Sequence, residues 1–218
     1  MSKIYYIPQD EEQKDLLQLD SIMQEKRASE RLIVLLLGSG GRESAMAWRI
    51  ATSPEVEQLY IAPGNGGSEN YGINVPELSG KDFDAIADFI ASHGVNLLVS
   101  GPEEPLVQGI ADYFAERKED FPHLMVVGPN AQGAQLEGSK DFSKAFMQRY
   151  GIPTASYRTF AANEKSEAVA YLQTHHPPFV LKADGLAAGK GVVILDNLTE
   201  AQAELRRMLI NEKFGKAS

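Results

Sequence analysis

The 218-residue sequence contains no cysteine. That absence removes disulfides, thiolate nucleophiles and cysteine-ligated zinc from consideration. Histidine is scarce, and His93, His123, His175 and His176 lie at spacings that match no metal motif. The His175–His176 pair reads as part of a solvated loop. No apolar run approaches the roughly 20 residues of a membrane span. The opening stretch MSKIYYIPQDEEQKDL lacks the apolar region of a signal peptide. An excess of positive charge is also missing. Against 30 Asp and Glu there are 21 Lys and Arg, a formal net charge of −9, which argues against a nucleic-acid or anionic-membrane binder. The class expected is a cytoplasmic enzyme or binding protein without nucleic-acid or membrane partners.

What the chain does contain is sufficient for folded domains. Hydrophobic residues make up 43% and charged residues 23%, and a chain of this length can bury a full core in one large or two small domains. Residues 1–30 are polar and acidic. Within them Leu16, Leu19, Ile22 and Met23 recur at helical spacing and predict an amphipathic helix from Asp10 to Arg27. This N-terminal extension reads as a docked surface helix or as a partner-binding arm. From residue 31 apolar runs alternate with helical patterns. RLIVLLLG, VEQLYIA, VNLLVSG and HLMVVG are strand candidates; ESAMAWRIATS, KDFDAIADFIASHG and LVQGIADYFAERK are helix candidates. Strand runs without alternation are buried on both faces, which predicts a doubly wound parallel sheet in an α/β domain over residues 31–130. Beyond it GSKDFSKAFMQRYG predicts a helix closed by Gly151, TASYRTF an extended segment, and NEKSEAVAYLQTH and LTEAQAELRRMLINEKFG two more helices. PFVLKA and GVVILD predict an antiparallel hairpin, so residues 131–218 read as a small α+β module.

In a parallel sheet all strand C-termini share one edge, and ligands bind there. The four predicted strands run into GSGGRES (38–44), APGNGG (62–67), SGPEEP (100–105) and VGPN (127–130). In the first, Gly38, Gly40 and Gly41 lead into a helix with Glu43 in its first turn, an arrangement that cradles an anion on free N–H groups, with Arg42 as a further phosphate contact. It is not a dinucleotide fingerprint. Glu43 stands where the third glycine would be, and no acid follows at the end of the second strand. Asn65, beside Gly64, reads either as a sugar ligand or as a turn residue tolerating positive φ. Glu103 and Glu104 read as ligands of a ribose hydroxyl or an amine, or as solvated charges.

The densest signal is KADGLAAGKGVV, Lys182 to Val193, with glycines at 185, 189 and 191 and lysines at 182 and 190. Walker A chemistry is excluded. Only three residues separate Gly185 from Gly189, Gly191 replaces the Ser or Thr after the lysine, and a β-branched run follows instead of a helix. The loop reads as a glycine-rich hairpin tip able to fold over a triphosphate, with Lys182 in the strand before it. Because Lys182 abuts the apolar run PFVL, a partner for its charge is expected.

In order, GSGGRES, APGN, SGPEEPLVQGIAD, VGPN, LEGSKDFSKAFMQRYGIPTASY and VLKADGLAAGKGVV resemble the signature of the phosphoribosylamine–glycine ligase (glycinamide ribonucleotide synthetase) family of the ATP-grasp superfamily, over residues 31–218. The resemblance implies a Rossmann-like pre-ATP-grasp domain followed by the first, α+β part of an ATP-grasp domain. It implies ATP-dependent joining of glycine to 5-phosphoribosylamine in de novo purine biosynthesis, through an acyl phosphate, giving glycinamide ribonucleotide, ADP and phosphate. Electrostatic stabilisation of the transferring phosphoryl would carry most of that chemistry.

By the same resemblance, Gly40, Gly41, Arg42, Glu43, Gly64, Asn65, Pro102 and Glu103 are assigned to phosphoribosylamine, and Lys144 and Lys182 to ATP phosphates. Gly185, Leu186, Ala187, Ala188, Gly189, Lys190, Gly191 and Val192 form the flexible loop over ATP. Mg2+ or Mn2+ is implied in the complete enzyme. Two departures stand out. Ser44 occupies a position where the family usually has His. The chain also ends at NEKFGKAS, before the residues that hold magnesium, so catalytic residues are expected mainly beyond residue 218, with no metal site and no ligase activity in this stretch alone. The other readings are an ATP-grasp carboxylate–amine ligase with a different amine, and a truncated non-catalytic nucleotide-binding module.

Overall fold

The computed structural model describes residues 31–187 and 190–210. The predicted helix at Asp10–Arg27 lies outside them. The described residues divide into two compact units, one made of residues up to Gly101 together with Glu119–Val127, the other of Pro102–Lys118 and the residues from Gly128 on.

The first unit is a five-stranded parallel sheet in the order β3-β2-β1-β4-β5. Its strands are β1 (Leu32–Gly38), β2 (Val56–Pro63), β3 (Ile73–Asn74), β4 (Leu97–Ser100) and β5 (Met125–Val127). The apolar run of β1 explains its central place, since Val34, Leu35, Leu36 and Leu37 are all fully buried and only a strand covered on both faces tolerates that pattern. Helix α1 (Gly41–Ala51) covers one face, where Ala47, Met46 and Ile50 pack on Val34, Leu36, Leu59, Ile61 and Val99. Helix α2 (Phe83–His93) meets the other, its Phe89 ring edge-on to Tyr60 at 5.2 Å. The Asp82 side chain caps α2 by accepting from Ala85 N at 3.0 Å, and Gly94 ends it at φ 64°. Five strands replace the four expected. β3 escaped the sequence reading because it is two residues long, too short to show any periodicity.

The second unit holds α3 (Glu104–Val107), α4 (Ile110–Glu116), α5 (Ala131–Gly138), α6 (Lys140–Arg149), α7 (Lys165–Gln173) and α8 (Leu198–Ile210), with the antiparallel hairpin β6 (Phe179–Lys182) and β7 (Val192–Leu195). Its core joins Phe179, Leu181 and Ala183 of the hairpin region to Ala168 and Leu172 of α7 and Ala201, Leu205 and Met208 of α8. Three expectations change. The single helix read over LVQGIADYFAERK is split, because Gly109 turns left-handed at φ 94° between α3 and α4. Residues 131–138 form a helix of their own, capped by the Asn130 side chain on Gly133 N at 2.8 Å and by Asp112 on Ala131 N at 2.6 Å. TASYRTF is in no sheet. Side chains of α6 hold that stretch, with Lys144 Nζ on Thr154 and Ala155 and Asp141 accepting from Thr159.

Gly109 has room for a methyl group, the nearest atoms lying 3.7 Å from a built Cβ, so its constraint is conformational alone. Gly109→Ala is expected to cost about 1–2 kcal/mol, the penalty of a left-handed L-residue. A urea denaturation midpoint unchanged from wild type would refute this.

Candidate functional site

The order of the first sheet reverses between β1 and β4, and in such sheets the crevice at the strand C-termini is where ligands sit. Glu43 shapes the loop there. Although it is a carboxylate it is only 4% exposed. Its Oε2 accepts from Gly40 N at 2.6 Å and its Oε1 from Arg42 Nε at 2.9 Å. A Cβ on Gly101 would lie 2.4 Å from Glu43 Cγ, so the backbone after β4 passes this side chain only because residue 101 is glycine. Glu43 therefore holds the loop and orients the guanidinium, while the Arg42 side chain is half exposed.

Asn65 has a comparable holding role. Its Nδ2 donates to Ser39 O at 2.8 Å and Gly40 O at 3.2 Å, and its Oδ1 accepts from Ser44 Oγ, Gly67 N and Ser68 N at 3.0, 2.7 and 3.1 Å. Both amide hydrogens are thus committed to the first loop. Ser44, at the position where the resemblance leads one to expect histidine, takes part through its hydroxyl. Fully buried Ser68 completes the knot, donating to Asn74 Oδ1 at 2.7 Å, while Asn74 Nδ2 donates to Asn65 O at 2.8 Å. Gly64, at φ 76°, presses on Asn74 so closely that no Cβ fits. Sequence reasoning missed Ser68 and Asn74, whose only signal was an abundance of small polar residues after a glycine turn. Pro102 and Glu103 follow β4 but belong to the second unit, where Glu103 O accepts from Val107 N at 3.0 Å at the start of α3.

In the second unit the hairpin separates two faces. Leu181 and Ala183 are buried, whereas Lys182 is exposed, opposite Val192. Strand alternation answers the expectation of a partner for Lys182, because the ammonium leaves the core on the open side. Val180 and Ile194, paired across the strands, share that face and are 48% and 65% exposed. The loop base is closed by Ala183 N on Gly191 O at 2.8 Å, with Gly185 at φ 79°. Leu186, Ala187, Lys190 and Gly191 follow in the loop; Ala188 and Gly189 lie outside the described residues. Lys144 Nζ donates to Thr154 Oγ1 at 2.6 Å and Ala155 O at 2.9 Å.

Asp184 and Lys140 were not singled out in the sequence. The Asp184 carboxylate accepts from Lys140 N at 2.5 Å, Asp141 N at 3.1 Å and Ser139 Oγ at 3.0 Å, and Lys140 Nζ donates to Gly185 O at 2.9 Å. Partial burial alone would raise its pKa. The N–H groups of Asp141, Lys140 and Gly185 and the Ser139 hydroxyl outweigh burial and hold it below the ordinary value of 3.8. The unfolded chain therefore binds the proton first on acidification. The stability Asp184 confers is fully present above its unfolded pKa and is lost as pH falls through the lower native value. The stability difference between wild type and Asp184→Asn should be constant from neutral pH down to that range and shrink below it. Paired urea titrations between pH 7 and pH 2.5 test this, and a difference independent of pH would contradict it.

Two family models match the chain in succession. Phosphoribosylglycinamide synthetase, N domain, matches residues 32–137, and phosphoribosylglycinamide synthetase, ATP-grasp (A) domain, matches residues 138–218. The chain is 46% identical over 185 residues to the phosphoribosylamine–glycine ligase of Allochromatium vinosum, covering 84% of this chain and 42% of that protein. It is 48% identical over 190 residues to that of Pseudomonas aeruginosa, covering 84% and 41%. The crystal structure of phosphoribosylamine–glycine ligase from Thermotoga maritima superposes with a TM-score of 0.62 at 34% identity, over 85% of this chain and 41% of that one. An ADP complex of N5-carboxyaminoimidazole ribonucleotide synthetase shares the fold, with a TM-score of 0.57 at 19% identity. The chain thus spans about two fifths of the length of these relatives. With both models matched in order and nearly half the aligned residues identical, the chain belongs to the phosphoribosylglycinamide synthetase family.

Proposed function

We propose that this chain carries the substrate-binding and ATP-gripping parts of a cytoplasmic ligase that joins glycine to 5-phosphoribosylamine. In the whole protein, a glycine carboxylate oxygen would attack the γ-phosphorus of ATP and expel ADP. The ribosyl amine would then attack the acyl carbon of the resulting acyl phosphate, lose a proton and expel phosphate, leaving glycinamide ribonucleotide. The relatives' names support the substrates, and the matched ATP-grasp model supports the nucleotide.

The observation that carries the ATP reading is the open face of the hairpin. Val180 and Ile194 form an apolar platform the width of two strands, with the Lys182 ammonium two pairs further along on the same face and the glycine-rich turn beyond it. An apolar surface ending in a point positive charge suits a purine base whose phosphates run toward that charge. ATP when bound supplies the transferable γ-phosphoryl. Lys182, Lys190 and the glycine-rich Gly185–Val192 segment would hold its phosphates. Lys144 would join them from α6 on exchanging its present oxygen partners.

Gly40, Gly41 and Arg42 would hold the sugar phosphate in the first unit, with Glu43, Gly64 and Asn65 keeping those loops in place. Among the described residues, no group of three or more His, Asp and Glu is arranged to hold a metal, and no step assigned to this stretch runs through one. Among them, too, no helix is long and apolar enough to cross a membrane.

Lys182→Ala should weaken ATP binding to this chain by roughly 10–100-fold, the loss of a charge-assisted contact of about 1.5–3 kcal/mol. It should leave the melting temperature unchanged, because the side chain is exposed. Isothermal titration with ATP measures both chains. Equal affinities, or a fall in melting temperature without a fall in affinity, would remove Lys182 from the site.

A further inference from the structure

Asp184 stands between the lysine of the hairpin face and the first glycine of the loop, and besides the Gly185 N–H its partners lie outside the hairpin. Its carboxylate turns to the N-terminus of α6 and takes the N–H groups of Lys140 and Asp141 together with the Ser139 hydroxyl. The next N–H of α6, that of Phe142, is taken by Ser139 Oγ at 3.1 Å. A residue 44 positions away in the sequence thus supplies the negative charge that this helix terminus favours. A second tie runs the other way, from the Lys140 ammonium to Gly185 O at 2.9 Å. Gly185 is at φ 79°, where the chain changes direction, and the other stem of the loop is closed by Ala183 N on Gly191 O. Both ends of the 185–191 segment are therefore tied down, one to Ala183 just after β6 and one to a helix outside the hairpin.

We propose that Asp184 is a positioning residue. By joining the first residue of the glycine segment to α6, it sets the direction in which the chain leaves the hairpin at Gly185, and hence where Leu186 and Ala187 stand relative to Lys182. This rests on the reading of the segment as the ATP phosphate loop. The link is unlike an ordinary helix cap. A local cap such as Asn130 serves only its own helix, whereas this one connects a helix start to a loop through a carboxylate and an ammonium that exchange partners.

Tryptic cleavage after Lys190 tests the inference. Lys190 is exposed and six residues from the substitution, so the protease's own preferences are unaltered. Cleavage from a locally opened state follows the population of that state. In ligand-free protein, Asp184→Asn should raise the Lys190 cleavage rate roughly tenfold, the effect of losing charge-assisted hydrogen bonds, while cleavage after Arg206 on α8 stays as in wild type. Lys140→Met, which removes only the ammonium tie, should act in the same direction and more weakly. Added MgATP should protect Lys190 in wild type, with a several-fold higher half-protecting concentration in Asp184→Asn. An unchanged Lys190 rate in both variants, or a rise matched at Arg206, would overturn the positioning role. Failure of MgATP to protect wild type, with the ligand-free difference intact, would instead overturn the ATP reading and leave the mechanical link standing.

Discussion

A helix start or a strand end leaves backbone N–H groups that must find an acceptor, and in this protein internal side chains supply it at the turns that matter. Glu43 takes Gly40 N, Asn65 takes Gly67 N and Ser68 N, and Asp184 takes Lys140 N and Asp141 N. Asn65 and Asp184 reach beyond their own turns, to the first strand-end loop and to the start of α6, while Glu43 also binds its neighbour Arg42. The glycine-rich loops are therefore fixed by a few polar ties, and their remaining donors are presented in a set direction.

This divides the polar residues by role. Some present a group outward, as Lys182 does from the open hairpin face and Arg42 does from the first loop. Others hold the presenters in place, and their functional atoms are already engaged. Glu43, Asn65, Ser68 and Asp184 are of the second kind. A ligand that needs a shaped array of N–H groups, such as a phosphate, is served by such an arrangement because the loop backbone is already held in place when it arrives. The same division accounts for the burial of a carboxylate beside the crevice of the first unit. Glu43 is covered because its two oxygens meet an N–H and a guanidinium.

Much of this architecture was legible in the residues. The apolar runs gave away the parallel sheet, because a strand buried on both faces has to be apolar at every position, and they gave away the hairpin too, although it is covered on one face only; Gly94 and Gly151 marked helix ends. The glycine-rich turns were recognisable as turns. The roles of the polar residues within them were less so. Asn65 and Glu43 looked like ligands because both are polar and follow glycines, and nothing local distinguishes an amide that faces a crevice from one that staples two loops together.

The order of the motifs carried the resemblance to the family, while residue type and spacing determined the strands other than β3, most of the helices and the glycine turns. These follow from short-range physics, namely side-chain periodicity, backbone freedom at glycine and capping within a few residues. The partner of Asp184, the saturation of Asn65 by Ser39, Gly40 and Ser44, and the face on which Lys182 emerges were decided by tertiary structure. The first two join residues 44 and more than 20 positions apart, and such hydrogen bonds form only once the fold has brought the segments together. The third depends on which side of the hairpin α7 and α8 cover, a choice made by packing and not by the sequence of the strand itself.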